Sequence, residues 1–415
     1  MATRIEEYTA VDDALAAVRS KMKLRMRSEV IPTSSALGRV SAATLSAPRD
    51  VPPFASSHMD GFAVVAGDLS EASEASPVAL KVAGKLNLGD APRRRIRNGE
   101  AFQVSTGGAI PLGADAVLPV EHVRHDGDLL HVSSAAVPGR HVYRKGEEMT
   151  KGEVLVREGQ VIRAQHTGFL LGLGITKVRV RARPRVAIVA TGSELTEATD
   201  PKPGKIRDSH SPYFRSLFSV LGCDTMGLGI VKDDPKLVGA ALRKGLARAD
   251  FVVTLGGTSV GKADVVESAL TSLNPDVLVH GIKMDRGRVA GVAVVGGRPV
   301  LMMPGPVQGA MNALILLGAP VVGWLSGAVE ERAKDVACVL GGEWDARGRF
   351  SDFRKVVYVR LSRGSPASAE PLLGETESFR VLAEADGYVI VPESVTHMSK
   401  GDLVSVKLFP GFSFA

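Results

Sequence analysis

The sequence predicts a multidomain protein of the α/β plus β class, in which a central doubly wound α/β domain is flanked by β-rich domains. Three observations carry this prediction. Between residues 184 and 329, apolar runs typical of buried strands alternate with helical patterns. Short apolar runs separated by Gly, Asp and Pro fill residues 47–139, and similar runs recur in residues 333–415.

Within the central region the predicted elements follow one another in order. RVAIVAT at 185–191 is a continuous apolar run, as expected for a parallel strand covered on both faces. The next elements are the helix SPYFRSLFSVLG, the strand DTMGLGIV, the helix KLVGAALRKGLARA, the strand DFVVTL, the helix ADVVESALTSL and the strand DVLVHGI. Ligands of such sheets bind at the carboxyl ends of the strands, near the topological switch point.

Two further segments bear on whether the protein enters a membrane. The N-terminus is acidic and helical in period, with Val11, Ala14, Leu15 and Val18 on one face, which is not the pattern of a signal peptide. Residues 299–329 carry no charge and are long enough to span a bilayer. Because prolines and polar residues interrupt that segment, we expect a buried strand, turn and helix, and no membrane association.

The length of 415 residues allows about two to four domains. Changes in pattern along the chain suggest where the domains begin and end. We predict a discontinuous mixed connecting domain of residues 1–46 and 140–183, a β-rich domain of 47–139, an α/β domain of 184–332 and a small β-barrel-like domain of 333–415.

Cysteine and histidine usage narrows the possible metal chemistry. The chain has only two cysteines, Cys223 and Cys338, and no CxxC spacing, which indicates a reducing cytoplasm and argues against a cysteine-based zinc site. The nine histidines show no HxxxH or HxH spacing, so we do not expect a cage of histidines around a metal.

The net charge of +6 and the basic run RRRIR at 93–97 raise the question of an acidic partner. The run has no aromatic neighbours on which bases could stack. We therefore interpret it as a solvated loop and do not expect nucleic acid as a partner.

The candidate chemistry lies in turns. Asp60 follows the rigid pair Pro52-Pro53 in RDVPPFASSHMDGFAV, and its simplest interpretation is an Asp-Gly hairpin turn. Glu194, Asp233 and Asp264 each follow a predicted strand of the α/β domain, where the last two could also be helix N-caps. The loop GGTSVG beside them could bind an anion through its backbone N–H groups, or could simply be a tight turn. Carboxylates gathered around a phosphate suit Mg²⁺.

Eight motifs, in their order and spacing, resemble the MoeA / gephyrin E-domain family of molybdopterin molybdenumtransferases. They are RDVPPFASSHMDGFAV, VSTGGAIPLGADAVLPVE, RKGEEM, VAIVATGSEL, GKIRDSHSPY, GIVKDDP, GGTSVGKAD and MPGPVQGAMNAL. The resemblance covers essentially the whole chain and implies a MogA-like central domain. It also implies a cytoplasmic, elongated homodimer whose active site lies between the α/β domain of one subunit and the PP…MDG domain of the other.

The resemblance further implies a reaction and its residues. Molybdate would be inserted into adenylylated molybdopterin with release of AMP and with Mg²⁺, and molybdopterin adenylyltransferase would be the pathway partner. The implied catalytic residues are Asp60, Thr106, Glu148, Glu194, Asp233 and Asp264, of which Glu194, Asp233 and Asp264 would hold the metal. The implied substrate-binding residues are Gly107, Asp208, Ser209, Gly256, Gly257, Ser259, Gly261, Lys283, Arg286, Arg288, Pro304 and Gly305.

Several positions depart from the family pattern. Glu148 stands where many members carry Asp, and His210 replaces the usual Asn. The segment GIKMDRGRVAG keeps Lys283 but lacks the usual Pro-Gly-Lys-Pro, so Arg286 and Arg288 would supply the second cation unless this is a solvated surface turn. The segment MPGPVQG keeps Pro304 and Gly305 but carries Gln308 where Ser is common.

These departures leave two alternatives to molybdate insertion. One is a divergent member that uses tungstate or catalyses a related pterin step. The other is a non-enzymatic pterin-binding or scaffold dimer, against which the four spaced acids Asp60, Glu194, Asp233 and Asp264 count, since a scaffold needs none of them.

Overall fold

The computed structural model describes residues 7–258, 264–329, 335–346, 351–362, 364 and 366–409. The chain forms two compact units. The first consists of Met1–Ala42, Gly159–Arg163 and Lys177–Ala415, and the second of Ala43–Glu158 and Ala164–Thr176. The domain boundaries predicted from the sequence stay predictions.

The described residues contain eight α-helices, of which only α2 belongs to the second unit. They are α1 (Val11–Lys21), α2 (Ala164–Gly172), α3 (His210–Val220), α4 (Pro235–Arg248), α5 (Val265–Thr271), α6 (Val307–Ala313), α7 (Ala319–Ser326) and α8 (Phe379–Glu384).

The central sheet of the first unit has six strands in the order β2-β1-β3-β6-β5-β4. In chain order they are β1 (Arg185–Thr191), β2 (Asp224–Val231), β3 (Phe251–Leu255), β4 (Val277–His280), β5 (Gly291–Val295) and β6 (Arg298–Met303). The pairs β2–β1, β1–β3 and β3–β6 are parallel, whereas β5 is antiparallel to both of its neighbours. The carboxyl ends of β1, β2, β3, β4 and β6 therefore point to the same edge of the sheet.

Helices cover both faces of this sheet, which confirms the doubly wound prediction. Side chains alternate between the faces along a strand, and on β1 Val186 and Ile188 pack with α1, α3, α6 and α7. Ala187, between them, packs with α4 and α5 on the other face. Burial on both faces explains why the sequence of β1 is continuously apolar.

The uncharged segment 299–329 forms the strand β6, a turn and a helical stretch that continues from α6 through a π-helix (Leu314–Gly318) into α7. The helical stretch Val307–Ser326 is long and apolar enough to cross a membrane, but 72% of its most apolar window is buried inside the protein. The expectation of a buried strand, turn and helix is confirmed.

Strand β5 is missing from the predicted elements. It is joined to β6 by Gly296 and Gly297, both with positive φ, in a two-residue hairpin. This Gly-Gly pair between two apolar runs is a sequence signal for such a hairpin, so the strand could have been found.

The C-terminal part of the first unit confirms the predicted small β domain. Five strands close into a barrel: Asp335–Leu340, Lys355–Ser362, Ser368–Pro371, Gly387–Val391 and Leu403–Leu408. Their inward-facing apolar side chains form a separate core that includes Cys338, Val357, Val389 and Val406. This unit also contains the ribbon of Ser28–Pro32 with Lys177–Arg181, and the short pairs Leu195–Thr196 with Ile206–Arg207 and Trp344–Asp345 with His397–Met398.

The second unit is rich in β-structure, as predicted for residues 47–139. Its six-stranded sheet has the order Ala116–Pro119, Gly61–Val64, Glu100–Val104, Val78–Leu86, Leu129–Val132 and Arg124–Asp126. Short pairs join Leu45–Ser46 to Val154–Val156 and Ser56–Ser57 to Val142–Tyr143. The basic run at 93–97 is a loop whose four arginines are exposed, with the guanidinium of Arg94 lying 4.9 Å from the ring centre of Phe102.

Candidate active-site residues in the two units

The structure brings two predicted catalytic residues of the second unit together. The Asp60 carboxylate oxygen Oδ1 accepts hydrogen bonds from the backbone N–H of Thr106 at 2.7 Å and from its hydroxyl at 3.1 Å. Both residues are exposed. The turn after the strand Glu100–Val104 therefore orients Asp60 while the second oxygen of its carboxylate stays accessible.

The hairpin interpretation of Asp60-Gly61 is wrong. Gly61 is the first residue of a strand paired on both sides and lacks the positive φ of a type I′ turn. A Cβ on Gly61 would lie 2.0 Å from the carbonyl oxygen of Leu118, so the neighbouring strand requires glycine there. Gly107, next to Thr106, does have a positive φ of 76°, and its N–H donates to the carbonyl of Ser57 at 2.7 Å.

Glu148 lies in the turn that packs on the proline pair. Its N–H donates to the carbonyl of Val51 at 3.0 Å, and that of Gly146 donates to the carbonyl of Pro52 at 3.0 Å. The Val51–Pro52 peptide bond is cis. Glu148 is exposed, so this turn presents a carboxylate to solvent beside the segment that leads to Asp60.

In the first unit, the loops after β1 and β2 are tied to each other. The Asp233 carboxylate accepts a hydrogen bond from Ser193 N–H at 2.8 Å, and the Ser193 hydroxyl accepts one from Asp233 N–H at 3.3 Å. The neighbouring Asp234, not Asp233, caps α4 by accepting from the N–H groups of Lys236 and Leu237. The helix-cap interpretation of Asp233 is therefore wrong.

Glu194, the next predicted ligand, is exposed in the same loop. Its carboxylate folds back over the backbone, since a Cβ on Gly192 would lie 2.6 Å from Oε1. Glu194 and Asp233 thus share a hydrogen-bonded loop pair at the carboxyl edge of the sheet. No ion pair engages Asp60, Glu194 or Asp233 within the ranges that the structure describes.

The glycine turn after β3 has a structural cause. Gly256 and Gly257 have φ values of 83° and 72°, and a Cβ on either would lie within 2.6 Å of an oxygen of Thr191. Only glycine accommodates both constraints. The predicted binding residues Ser259 and Gly261 lie outside the described residues.

Asp264 is the N-cap of α5, with Oδ1 accepting from Glu267 N–H at 2.8 Å. Its other oxygen, Oδ2, is buried without a hydrogen-bond partner and lies 3.1 Å from Nε2 of His280. Nδ1 of His280 lies 3.0 Å from a carboxylate oxygen of Glu267. Burial raises the pKa of the Asp264 carboxyl, and the charge of Glu267 acts in the same direction, whereas the Glu267 amide and His280 lower it.

Among the described residues, Asp264, Glu267 and His280 form the one group of three acidic, histidine or cysteine side chains whose ligand atoms lie within 4.8 Å of one another. Glu194 and Asp233 do not join Asp264 in such a group. Sequence reasoning missed Glu267 and His280. The available signal was that Glu267 lies one helical turn after Asp264 and that His280 ends the next strand, β4, at the same edge.

The predicted pair Asp208 and Ser209 lies at the start of α3. Oδ1 of Asp208 accepts a hydrogen bond from Ser211 N–H at 3.0 Å, whereas Ser209 makes no side-chain cap. His210 packs against the ring of Phe379, 5.4 Å away, and burial lowers its pKa although Asp208 acts in the opposite direction. Asp208 therefore caps the helix, and Ser209 is exposed beside it.

The segment MDRGR is not a solvated surface turn. Lys283 is half-buried, with its N–H donating to the carbonyl of Thr9 at 2.8 Å and its own carbonyl accepting from Arg354 N–H at 3.0 Å. Arg286, at φ 49°, donates from Nη1 to Oε1 of Gln308 at 2.7 Å, whereas Arg288 is exposed.

The other two predicted substrate-binding residues follow β6. Pro304 is buried and Gly305 is exposed.

Gln308 explains part of the altered family motif. It is fully buried, and its amide donates to the carbonyls of Glu375 at 2.6 Å and Ser378 at 3.2 Å. Gln308 thus ties α6 to the start of α8. The amide oxygen of Gln308, Oε1, accepts its hydrogen bond from Arg286. This contact favours a structural role for Arg286.

We predict that Arg286→Ala lowers the free energy of unfolding by about 1–3 kcal/mol, because it leaves the buried Oε1 of Gln308 without a partner. Denaturant unfolding of the purified protein measures the change. Arg93→Ala removes another exposed arginine and is the control, which should alter stability by no more than about 0.5 kcal/mol. Equal stability of the two variants would contradict this role.

Three family models match the chain. They are the MoeA N-terminal region (domain I and II) over residues 9–174, the probable molybdopterin binding domain over 187–324, and the MoeA C-terminal region (domain IV) over 340–409. The matches follow one another along almost the whole chain.

Curated relatives and solved structures agree with these matches. The molybdopterin molybdenumtransferase 2 of Mycobacterium tuberculosis is 30% identical over 400 residues, which is 94% of this chain and 97% of that protein. A putative molybdopterin biosynthesis protein of Methanocaldococcus jannaschii is 32% identical over 384 residues, 90% of each chain. A solved molybdopterin biosynthesis MoeA protein of Pyrococcus horikoshii is 32% identical, with a TM-score of 0.84 over 98% of this chain and 100% of that one.

Proposed function

This chain belongs to the MoeA family of molybdopterin molybdenumtransferases, and from that premise we propose that it inserts molybdate into adenylylated molybdopterin with release of AMP. Its role lies in molybdenum cofactor biosynthesis, as a transferase. The observation that carries the proposal is the match over 94% of the chain to a protein named for this activity. The alternatives of a related pterin step or a scaffold are not favoured.

The arrangement of the acids supports a catalytic site. The carboxylates of Asp60, Glu194 and Asp233 are exposed and lie in loops. Asp60 accepts a hydrogen bond from Thr106, and Asp233 accepts one from Ser193. Within the described part of the chain, none of the three carboxylates forms an ion pair. Carboxylates positioned in this way can orient a substrate or hold a cation. We infer that these three residues face the phosphates of the adenylylated pterin.

We propose Mg²⁺ as the cation. The donor set of Glu194 and Asp233 fits a hard divalent ion, because both offer carboxylate oxygens on adjoining exposed loops. When bound, Mg²⁺ would neutralise phosphate charge at the bond that is broken. Asp264 fits this set less well, because its ligand oxygen belongs to the group with Glu267 and His280.

Cationic side chains would hold the oxyanion. Lys283 and Arg288 lie in the same segment between β4 and β5, and a guanidinium suits the paired oxygens of a tetrahedral dianion. The remaining guanidinium, that of Arg286, already serves Gln308. Because Arg288 is exposed whereas Arg286 is half-buried against Gln308, we assign the oxyanion to Lys283 and Arg288, with Arg286 as a structural support.

We predict that Arg288→Ala raises the molybdate concentration for half-maximal AMP release about tenfold to a hundredfold, as for the loss of a charged hydrogen bond of roughly 1.5–3 kcal/mol. Binding of the adenylylated pterin should change less. An unchanged molybdate requirement would move the oxyanion away from this segment.

The test of the function itself is AMP release from adenylylated molybdopterin with Mg²⁺, comparing molybdate with tungstate. We expect release that depends on the oxyanion, and the ratio of the two rates would reveal any tungstate preference. Failure to release AMP with either oxyanion would contradict the proposed function.

The proposed setting is a cytoplasmic homodimer. Cys223 and Cys338 are both buried and neither forms a disulfide, which suits a reducing compartment. The family resemblance suggests that each site combines the first unit of one subunit with the second unit of its partner. A molybdopterin adenylyltransferase, which makes the adenylylated substrate, is the proposed pathway partner.

A further inference from the structure

Two exposed aromatic side chains stack on each other in the second unit. The ring centroids of His58 and Tyr143 lie 3.8 Å apart, with an interplanar angle of 25°. Tyr143 is 44% exposed, and His58 is exposed as well. Neither side chain makes a hydrogen bond or an ion pair to another residue that the structure describes. Because stacking uses only one face of each ring, aromatic surface stays accessible to a ligand.

The backbone holds this pair beside Asp60. The strand Ser56–Ser57 lies between the segment 107–109 on one side and the strand Val142–Tyr143 on the other. Thr106, which orients Asp60, directly precedes the first of these segments. Neighbouring strands lie about 5 Å apart, so about 10 Å separates the backbone on the Asp60 side from that of the aromatic pair. This separation is comparable with the span of a nucleotide from its phosphate to its base.

A strained turn holds the two rings together. His141, at φ 58°, has the left-handed conformation that residues other than glycine seldom adopt. Its carbonyl accepts a hydrogen bond from His58 N–H at 2.9 Å, and Tyr143 follows two residues later. On the other side of His58, the hydroxyl of Ser57 donates to the carbonyl of Met59 at 2.6 Å. Backbone strain persists where the surrounding structure imposes it, and it is concentrated at functional sites.

We propose that His58 and Tyr143 form a stacking surface for a fused heteroaromatic ring of the adenylylated pterin, either its adenine or its pterin. The inference rests on the proposed function, in which Asp60 faces the phosphates of that substrate. Aromatic side chains bind such rings through their π-faces, and this contact accepts any flat base. The imidazole nitrogens and the phenol hydroxyl add hydrogen-bonding groups at the rim of the stacking surface.

Titration calorimetry on the full chain tests the stacking surface with three ligands. AMP and ribose 5-phosphate differ only in the adenine, and pterin-6-carboxylate carries the other ring. We expect at least one of the two ring ligands to bind the wild type more tightly than ribose 5-phosphate does. Tyr143→Ala should weaken the binding of that ring about fivefold to a hundredfold, as for the loss of base–aromatic stacking, and His58→Ala should act in the same direction. The ligand that responds identifies the ring.

Two control variants and one control ligand accompany this titration. Tyr143→Phe keeps the ring and should retain most of the affinity. Leu88→Ala removes an exposed apolar side chain of the same unit and should bind as the wild type does. Ribose 5-phosphate should bind all of these proteins alike, because it offers no ring to stack. Wild-type protein that binds neither ring more tightly than ribose 5-phosphate, or Tyr143→Ala protein that binds both rings as the wild type does, would overturn the proposal. So would a Tyr143→Phe variant as weak as Tyr143→Ala.

AMP release by the same proteins separates this inference from the proposed function. Tyr143→Ala should raise the substrate concentration for half-maximal release about as much as it weakens ring binding, with a smaller change in the maximal rate. If the wild type releases AMP and Tyr143→Ala needs no more substrate than the wild type does, the stacking surface is rejected and the proposed function stands. Failure of the wild type to release AMP would contradict the proposed function instead.

Discussion

Two inactive variants, Asp60→Asn and Asp233→Asn, should recover about a quarter of wild-type activity when their chains are dissociated, mixed and re-associated. Random pairing makes about half of the dimers mixed. If each site combines the first unit of one subunit with the second unit of the other, one of the two sites in a mixed dimer carries neither lesion. Asp60 belongs to the second unit and Asp233 to the first.

A matched control distinguishes this arrangement from a site built within one chain. Thr106 belongs to the same unit as Asp60 and donates to its carboxylate. Mixing Asp60→Asn with Thr106→Ala should therefore restore nothing, because every site keeps one lesion. AMP release is the activity to measure, with light scattering to establish the dimer. No recovery from the first pair, or full activity in a monomer, would rule out a shared site.

The second large effect concerns the adjacent residues Asp233 and Asp234. Asp233→Ala should reduce AMP release by about a hundredfold or more, or raise the Mg²⁺ requirement steeply, because it removes a proposed metal ligand and the tie to Ser193. Asp234→Ala should leave the Mg²⁺ requirement unchanged and lower the free energy of unfolding by about 0.5–2 kcal/mol, since Asp234 is only the cap of α4.

Chelation completes that experiment. Activity should vanish with a chelator of divalent ions and return when Mg²⁺ is added. Glu194→Ala should resemble Asp233→Ala in its Mg²⁺ titration. If Asp233→Ala and Asp234→Ala behave alike, or if Mg²⁺ dependence is the same in all variants, neither Glu194 nor Asp233 holds the metal.

Local patterns along the chain were enough to predict the fold class and the elements that carry the candidate site. The continuous apolar run of β1, the helical periods of α3 and α4, and the uncharged segment that forms β6, α6 and α7 can all be recognised from the pattern of neighbouring residues. Ordered motifs supplied the family, and the match over three family models confirmed it. These inferences succeed because strand and helix periods are properties of neighbouring residues.

Which polar residues face one another depends on the folded chain, and local pattern did not predict it. Asp233 and Asp234 are equivalent in sequence, yet one binds the loop after β1 and the other caps α4. Arg286 and Arg288 are two residues apart, yet Arg286 is half-buried and donates to the buried Gln308, whereas Arg288 is exposed. His280 lies 16 positions after Asp264 and meets it because β3 and β4 end at the same edge. Such contacts join residues distant in the chain, and they depend on strand order and loop path, which local pattern does not encode.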